Sequence, residues 1–370
     1  MASAPSDARE PETLRWIVGV PGRTFSVVVL DEAQHIKNRS TRNAKCAKRL
    51  DGVQKLVLTG TPVENSVADV WSIFDFLLPD YLGRYDAFSA TIQQPIEAGG
   101  AEGAAAQERL HHKLSPFILR RLKKDVLKDL PDKVENVVSS NLEGEQRKLY
   151  AAHAQRLRMT IEHQLPDEFQ GMKLQILAEL TKLRQLCCDP DLLFDDYKGP
   201  SAKLDTCLEL VSQAIEGGHK ILVFSQFTSM LAIISDRLKA AKIDHLTLTG
   251  STSKEERRRL VDEFQTGAVP VFLISLKAGG VGLNLTAADI VIHYDPWWNV
   301  AAEDQATDRT HRIGQTAEVT VFKLIAKDTI EEKIVEMQRS KQALADAVIG
   351  GEGVSSGSIT REDLLSLLEY

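Results

Sequence analysis

Residues 271–315 of this 370-residue chain read VFLISLKAGGVGLNLTAADIVIHYDPWWNVAAEDQATDRTHRIGQ. The segment contains two short apolar runs rich in β-branched residues, Val271–Ile274 and Ile290–His293, on either side of a glycine-rich turn. Apolar runs of this length are typical of strands that are buried on both faces of a parallel sheet and joined by crossover helices. The segment therefore predicts an α/β fold.

Comparable apolar runs recur elsewhere, between longer stretches of helical periodicity. They are Val27–Leu30, Leu56–Leu58, Ile221–Phe224, Leu246–Leu248 and Val319–Leu324. After Leu246–Leu248, Thr252 and Ser253 each precede a glutamate by three residues, a pattern typical of a helix start. We expect a crossover helix there that runs to Gln265 and ends at Gly267.

The length of the chain predicts roughly two domains. We expect a first α/β region with a helical insertion at about 66–116, in which AGGAEGAAA at 98–106 predicts a flexible loop tip. Leucines at spacings of three predict long amphipathic helices before the KGPS linker at 198–201. The predicted boundaries are 1–138 for the first region, 139–200 for the helical linker or insertion, 201–335 for a second α/β region and 336–370 for a helical tail.

The overall charge argues mildly against a nucleic-acid partner. Lys and Arg number 45 against 52 Asp and Glu, so the net charge is −7. Any nucleic acid must then be held by a local basic surface. One candidate is RLHHKLSPFILRRLKKDVLK at 109–128, with seven Lys or Arg and one Asp.

The remaining composition bears on metal sites and location. The four cysteines show no C-x-x-C spacing, so we expect reduced, mostly buried thiols rather than zinc ligands; they are Cys46, Cys187, Cys188 and Cys207. No apolar run approaches the ~18 residues that span a bilayer, and the polar start MASAPSDARE is unlike a signal peptide. We expect no membrane partner and a cytoplasmic location, nucleoid-associated if the source is bacterial, with a nuclear one left open.

An acid pair follows the first apolar run, in VVVLDEAQHIKN at 27–38. At the carboxyl end of a parallel strand, Asp31 is suited to hold Mg²⁺ through water, and Glu32 to orient and deprotonate the water that attacks a γ-phosphate. The alternative is an ordinary solvated turn. The pattern makes Asp31 and Glu32 candidate catalytic residues, with Asp31 as the candidate metal residue.

A second strand exit, LVLTGTPVEN at 56–65, lies about 28 residues beyond the acid pair, a length that suits one crossover between neighbouring strands. Thr59, Gly60 and Thr61 are small or hydroxylated, so they either approach nucleotide phosphates or bond the DEAQ turn. The alternative is plain turn chemistry, for which T-G-T-P is well suited.

The 271–315 segment holds two more candidate phosphate-binding features. Gly279, Gly280 and Gly282 permit a close approach of backbone to phosphate. Gln305, Arg309 and Arg312 recur at spacings of four and three, which predicts one helical face and an arginine-finger role for the two arginines. The alternative is an exposed helix whose arginines pair with neighbouring acids, namely Glu303, Asp304 and Asp308.

Candidate DNA contacts come from two places. Within the basic segment they are Arg120, Arg121, Lys123 and Lys124, which would supply salt-sensitive affinity without reading bases. A solvated helix face is the alternative. Trp297 and Trp298 either wedge against DNA or pack in the core, and packing is the commoner fate of tryptophan.

Taken together, the motifs resemble those of the Swi/Snf-type DNA translocase ATPases of helicase superfamily two. The matching strings, in the family's order, are DEAQHIKN, LTGTPVEN, PFILRRLKKDVLKDLPDK, ILVFSQF, SLKAGGVGLNL, YDPWWN and DQATDRTHRIGQ. The resemblance implies two RecA-like lobes with ATP and Mg²⁺ between them, helical insertions, and double-stranded DNA as partner. It assigns Asp31 and Glu32 as the metal and water acids, Arg309 and Arg312 as arginine fingers, and Gln305 as the motif's glutamine.

Two departures from the family stand out. The chain has no Gly-Lys dipeptide and so no Walker A loop, G-x-x-x-x-G-K-[ST], which cradles the phosphates. We therefore expect a truncated first lobe, a complete second lobe, and a Walker A loop supplied by an upstream segment or a separate chain. The second departure is Val300, where the family usually has proline.

The sequence predicts an ATP-dependent double-stranded DNA translocase, a helicase-like ATP hydrolase, here as a truncated chain. One alternative is a non-catalytic DNA-binding or interaction fragment that turns over no ATP. An RNA helicase is a further alternative, which the HRIGQ and DPWWN strings disfavour.

Overall fold

The computed structural model describes residues 24–60, 67–121, 123–162, 166–279, 283–298, 300–338 and 368. The chain divides into two compact units between Ile118 and Leu119. The predicted domain boundaries, including the one at 138, stay predictions. Nearly all of the predicted tail at 336–370 lies outside the described residues.

The described part of the first unit contains a parallel pair of strands, β1 (Phe25–Leu30) and β2 (Gly52–Val57). The crossover between them consists of a 3₁₀ turn, Ala33–Ile36, and helix α1, Arg42–Lys48. Thr41 caps α1, since its hydroxyl accepts from Ala44 N at 3.3 Å. The predicted single crossover between neighbouring strands is confirmed.

Strand β1 is buried on one face only. Val28 lies in a small core with Ile36 and Phe76. Val27 and Val29, on the other face, are 47% and 50% exposed. The expectation of a strand buried on both faces is therefore wrong for β1 among the described residues.

Helices make up most of the remaining residues of the first unit that the structure describes. They are α2 (Val67–Leu77), α3 (Tyr85–Phe88), a π turn at Ser89–Gln93, α4 (Gln94–Ala98), α5 (Gly100–Leu114) and a 3₁₀ turn at Ser115–Phe117. The predicted loop tip at 98–106 is wrong, because most of it is the first half of α5. Its alanines favour helix, and Ala106 and Leu110 are fully buried. Gly103 is needed there, since a Cβ would lie 2.7 Å from the Pro95 carbonyl oxygen.

A six-stranded parallel sheet forms the centre of the second unit, in the order β3-β8-β7-β4-β6-β5. Its strands are β3 (Lys133–Asn141), β4 (Ile221–Ser225), β5 (His245–Leu248), β6 (Val271–Ser275), β7 (Ile290–His293) and β8 (Val319–Lys327). All five strands predicted for this region are present. Edge strand β3 was not predicted, because its residues are mostly exposed and show no apolar run.

Helices flank this sheet. They are α6 (Lys123–Val126), α7 (Gly144–Glu162), α8 (Pro166–Cys188), α9 (Ala202–Glu216), α10 (Thr228–Ala240), α11 (Lys254–Thr266), α12 (Leu276–Gly279), α13 (Val300–Thr307) and residues 330–338. Helix α11 confirms the predicted crossover: the Ser253 hydroxyl caps it, accepting from Glu256 N at 3.2 Å. The long helices α7 and α8 confirm the leucine periodicity.

The cysteine prediction holds, since all four thiols are free and buried. Burial raises the pKa of the Cys207 thiol to about 12, so this thiol stays protonated and unreactive at neutral pH. Among the described residues, no helix is both long and apolar enough to cross a membrane.

Candidate active site

The predicted acid pair stands directly after β1, in a strained turn. Glu32 has left-handed backbone angles, φ 52° and ψ 50°, which a non-glycine residue seldom adopts. Its N–H donates to Asp31 Oδ1 at 2.9 Å. Asp31 is exposed and Glu32 half-buried. Strain of this kind is concentrated at functional sites, where the surrounding structure holds it in place.

Gln34 joins the acid turn to the turn after β2. Its Nε2 donates to Glu32 Oε2 at 2.7 Å, and its Oε1 accepts from the Thr59 hydroxyl at 2.9 Å. Ala33 N also donates to the Leu58 carbonyl at 3.1 Å. Of the two roles predicted for Thr59, bonding the DEAQ turn is the one observed. Sequence reasoning missed Gln34, whose only signal was its place two residues after the glutamate.

The other threonine-turn candidates are only partly described. Gly60 is exposed, with no atom within 4 Å of where a Cβ would stand, so a ligand can approach its backbone. Thr61 lies outside the described residues, as do Gly280 and Gly282 of the later glycine turn.

In the second unit, the predicted arginines follow a helix rather than lying on it. Helix α13 ends at Thr307, so Gln305 is helical, whereas Arg309 and Arg312 lie in the turns that come next. The predicted single helical face is therefore wrong. Arg312 Nη1 donates to the Leu283 carbonyl at 3.1 Å, and the Arg309 carbonyl accepts from Leu285 N at 2.9 Å. Both arginines are thus tied to the chain just beyond the glycine turn.

Gln315 closes this arginine turn and was also missed from the sequence. Its Nε2 donates to the Ala288 carbonyl at 2.8 Å, while its Oε1 accepts from the backbone N–H groups of Thr316 and Ala317 at 2.9 and 3.0 Å. The last residue of the HRIGQ string therefore has a structural task, since it satisfies three buried or half-buried backbone groups.

The acids near the arginines have lysine partners. Asp308 forms an ion pair with Lys123, and Glu303 lies 3.7 Å from the Lys323 ammonium group. Lys123 also donates to the His311 carbonyl at 3.0 Å. Lys123, predicted to bind DNA, is thus engaged within the protein. Of the other basic candidates, Arg120 and Arg121 are exposed, and the side chain of Lys124 lies outside the described part of the chain.

The tryptophan loop after β7 is held by buried side chains. Trp297 and Trp298 are both half-buried and pack on two different hydrophobic clusters. The backbone N–H of Trp297 donates to Glu303 Oε1 at 2.5 Å. Burial raises the pKa of the Glu303 carboxyl to about 7. Both tryptophans therefore pack against core clusters while staying half-buried.

Comparison with known proteins places these turns in a family. Residues 18–192 match the profile of the SNF2-related domain, and residues 202–314 match the helicase conserved C-terminal domain. A solved structure, the Sulfolobus solfataricus SWI2/SNF2 ATPase core in complex with dsDNA, is 38% identical, with a TM-score of 0.51 over 92% of this chain and 72% of that one. This chain belongs to the SNF2 family. Its α/β architecture with a six-stranded parallel sheet matches the RecA-like lobes of that ATPase core.

Two bacterial relatives are similar to almost all of this chain, which covers only part of their length. The protein named "Uncharacterized ATP-dependent helicase MG018" of Mycoplasma genitalium is 39% identical over 96% of this chain and 33% of its own length. An ATP-dependent helicase of Mycoplasma pneumoniae is 40% identical over 93% and 32%. The chain therefore spans about a third of the length of these two curated relatives.

Proposed function

We propose that this chain provides the water-activating acids, the arginines and part of the DNA-binding surface of an ATP-dependent double-stranded DNA translocase. The observation that carries the proposal is a pair of side-chain hydrogen bonds in which Gln34 joins Glu32 to Thr59. It holds a general-base candidate in a fixed orientation at the carboxyl end of a parallel strand, where α/β proteins bind their ligands. Membership of a family of ATP-dependent helicases supports ATP as the substrate.

The acid turn suits magnesium held through water. Mg²⁺ keeps several waters and takes one or two carboxylates together with substrate phosphates. Asp31 is exposed and presents such a carboxylate. Within the described residues no group of three or more His, Cys, Asp or Glu side chains is arranged to hold a metal by itself, which fits an ion that arrives with the nucleotide. Mg²⁺ would neutralise charge on the phosphates.

Glu32 is proposed to orient the attacking water and take its proton. The Gln34 amide, bonded to Oε2, keeps the carboxyl from rotating. Arg309 and Arg312 would stabilise the negative charge that develops on the transferring phosphoryl group. Gln305, Gly60, Thr61 and the glycines Gly280 and Gly282 are proposed as nucleotide contacts.

Duplex DNA is proposed to bind through Arg120, Arg121 and the half-buried rings of Trp297 and Trp298. The similar Sulfolobus ATPase core was solved in complex with dsDNA, which supports this partner. Lys123 is set aside as a DNA contact because of its bonds to Asp308 and His311. Lys124 stays in the proposed set on its position in the sequence.

The proposal requires a Walker A loop from another segment or chain, because the sequence contains no Gly-Lys dipeptide. That same observation favours a second candidate for the 370-residue polypeptide tested alone, namely a DNA-binding module without ATP turnover. The two are separated by joining the chain to an amino-terminal SNF2 segment that carries the loop. Duplex DNA should then stimulate ATP turnover, and RNA should not. Stimulation by RNA alone would replace the translocase by an RNA helicase, and an absence of ATP turnover with either nucleic acid would leave the binding module.

A further inference from the structure

Arg184 is a buried cation near the carboxyl end of α8. Its side chain is 3% exposed, and its partner Asp295 is fully buried, with 3.6 Å between Arg184 Nη2 and Asp295 Oδ2. A charge buried to this degree persists only when it is paired and hydrogen-bonded. Helix α8 thus brings a permanently charged, planar group to the loop after β7.

The guanidinium joins two loops that follow the carboxyl ends of neighbouring strands. Nη1 donates to Gln226 Oε1 at 3.0 Å, and Nη2 donates to the Pro296 carbonyl. Gln226 belongs to the turn after β4 and Pro296 to the loop after β7, and these strands are neighbours. Asp295 strengthens the junction, because its Oδ1 accepts from the Ser225 hydroxyl at 2.5 Å.

Three aromatic rings surround the same guanidinium. Its carbon lies 5.7, 5.9 and 5.8 Å from the ring centroids of Phe227, Trp297 and Trp298. Cations within about 6 Å of a ring face are attracted to it. Arg184 therefore restrains the orientation of both tryptophan rings from their buried side.

The backbone of the tryptophan loop has independent support. The Trp297 N–H donates to Glu303 Oε1, and the Trp297 carbonyl accepts from Gln338 Nε2. Loss of Arg184 would leave these backbone bonds in place. What Arg184 adds is the orientation of the rings and the spacing to the Gln226 turn.

We infer that Arg184 is a positioning residue that holds Trp297 and Trp298 in the orientation that receives duplex DNA. The inference rests on the proposed DNA binding. Being buried, Arg184 acts on DNA through the rings and touches no phosphate. Contacts through aromatic rings release no counterions, whereas each phosphate contact contributes to the salt dependence of affinity. This difference separates positioning from direct contact.

The test compares Arg184→Lys with Arg259→Lys in the 370-residue chain. Arg259 is 61% exposed on α11, in ion pairs with Glu256 and Glu263, and serves as the matched control. We expect Arg184→Lys to weaken binding of a 20-base-pair duplex about tenfold with the slope of log affinity against log salt unchanged. The control should change neither quantity. Because lysine keeps the positive charge, the affinity decides this comparison: unchanged affinity would show that the rings need no such support and would overturn the inference.

A second measurement reports on the rings without DNA. In protein labelled with 5-fluorotryptophan, Arg184→Lys should shift the fluorine resonances of Trp297 and Trp298 and leave that of Trp71, in the first unit, in place. Resonances of Trp297 and Trp298 that stay unshifted would overturn the inference even if wild-type protein bound no duplex, a result that would refute only the proposed function. In a Trp297→Leu, Trp298→Leu background, Arg184→Lys should cause no further loss of affinity, and additive losses would contradict the inference.

Discussion

Glutamine side chains close both turns that carry the proposed catalytic residues. Gln34 bridges Glu32 and Thr59, and Gln315 bridges the Ala288 carbonyl and the N–H groups after the arginine turn. A carboxamide donates and accepts at once, so one side chain can satisfy groups on two segments. At the scale of the residue, the acids and arginines carry the charges that the proposed chemistry needs. The neutral glutamine amides hold the turns on which those charged residues lie.

The arginine turn leads to a prediction about turnover. In a longer polypeptide that includes the Walker A loop, Arg309→Ala and Arg312→Ala should each lower the rate of the chemical step by up to ~10³, because their charge matters most in the transition state. Nucleotide affinity should fall only modestly. Single-turnover hydrolysis and nucleotide titration measure the two effects. Normal turnover at saturation with a large loss of affinity would instead assign both arginines to ground-state binding.

Glu303 predicts a pH dependence of stability. Burial raises its pKa to about 7 in the folded chain, against ~4.3 in the unfolded chain. The folded state therefore binds a proton that the unfolded state releases, and this stability is fully present below pH ~4.3 and is lost as the pH rises through about 7. The loss amounts to roughly 3 kcal/mol. Urea unfolding at pH 5 and pH 8 should show Glu303→Gln gaining stability relative to wild type at the higher pH. A difference between the two proteins that does not vary with pH would contradict this.

At the scale of the element, one buried ion pair ties the start of α9 to the helix at 330–338. Lys203 Nζ lies 2.8 and 2.9 Å from the two carboxyl oxygens of Glu331, and both residues are fully buried. Glu331 also accepts from Ala326 N at 2.7 Å, at the end of β8. The pair therefore links the start of α9, the helix at 330–338 and the end of β8.

Removing one partner should destabilise the second unit strongly. Lys203→Met leaves the Glu331 carboxylate buried without its cation, and such losses cost about 3–5 kcal/mol. The double variant Lys203→Met, Glu331→Leu removes both charges and should recover much of that loss. Urea midpoints of the four proteins in this cycle measure the effect. A double variant whose loss of stability equals the sum of the two single losses would show that the pair contributes no coupling.

The elements also show what the sequence can predict. Strands β4, β6 and β7 were predictable because burial on both sides requires an unbroken apolar run. Edge strand β3 lacks that requirement, and α5 was mistaken for a loop because its glycines were weighted above its alanines. At the site, Asp31 and Glu32 were recognisable from their place after a strand. Arg184 and Gln34 were not, because their roles depend on contacts with residues as many as 112 and 25 positions away.

At the scale of the whole molecule, DNA affinity must come from a local surface, since the chain carries a net charge of −7. Changing Arg120 and Arg121 together to Ala should reduce the salt slope of duplex binding by about 2, one for each phosphate contact. Lys123→Ala should leave the slope unchanged, because Lys123 is bonded to Asp308 and His311. Fluorescence anisotropy across a salt series measures both. A slope that falls with Lys123→Ala but not with the arginine pair would reverse the assignment.

The most direct test of the account is ATP turnover by Glu32→Gln in the chain joined to a Walker A segment. Glutamine keeps the shape of the side chain and removes only its ability to take the proton from water. We predict nearly unchanged ATP binding and a fall of about 10²-fold or more in DNA-stimulated turnover. The 370-residue chain by itself should hydrolyse ATP at background, because its sequence has no Walker A loop to hold the phosphates in line for attack. Unchanged turnover in Glu32→Gln, or rapid hydrolysis by the 370-residue chain that this substitution abolishes, would contradict the account.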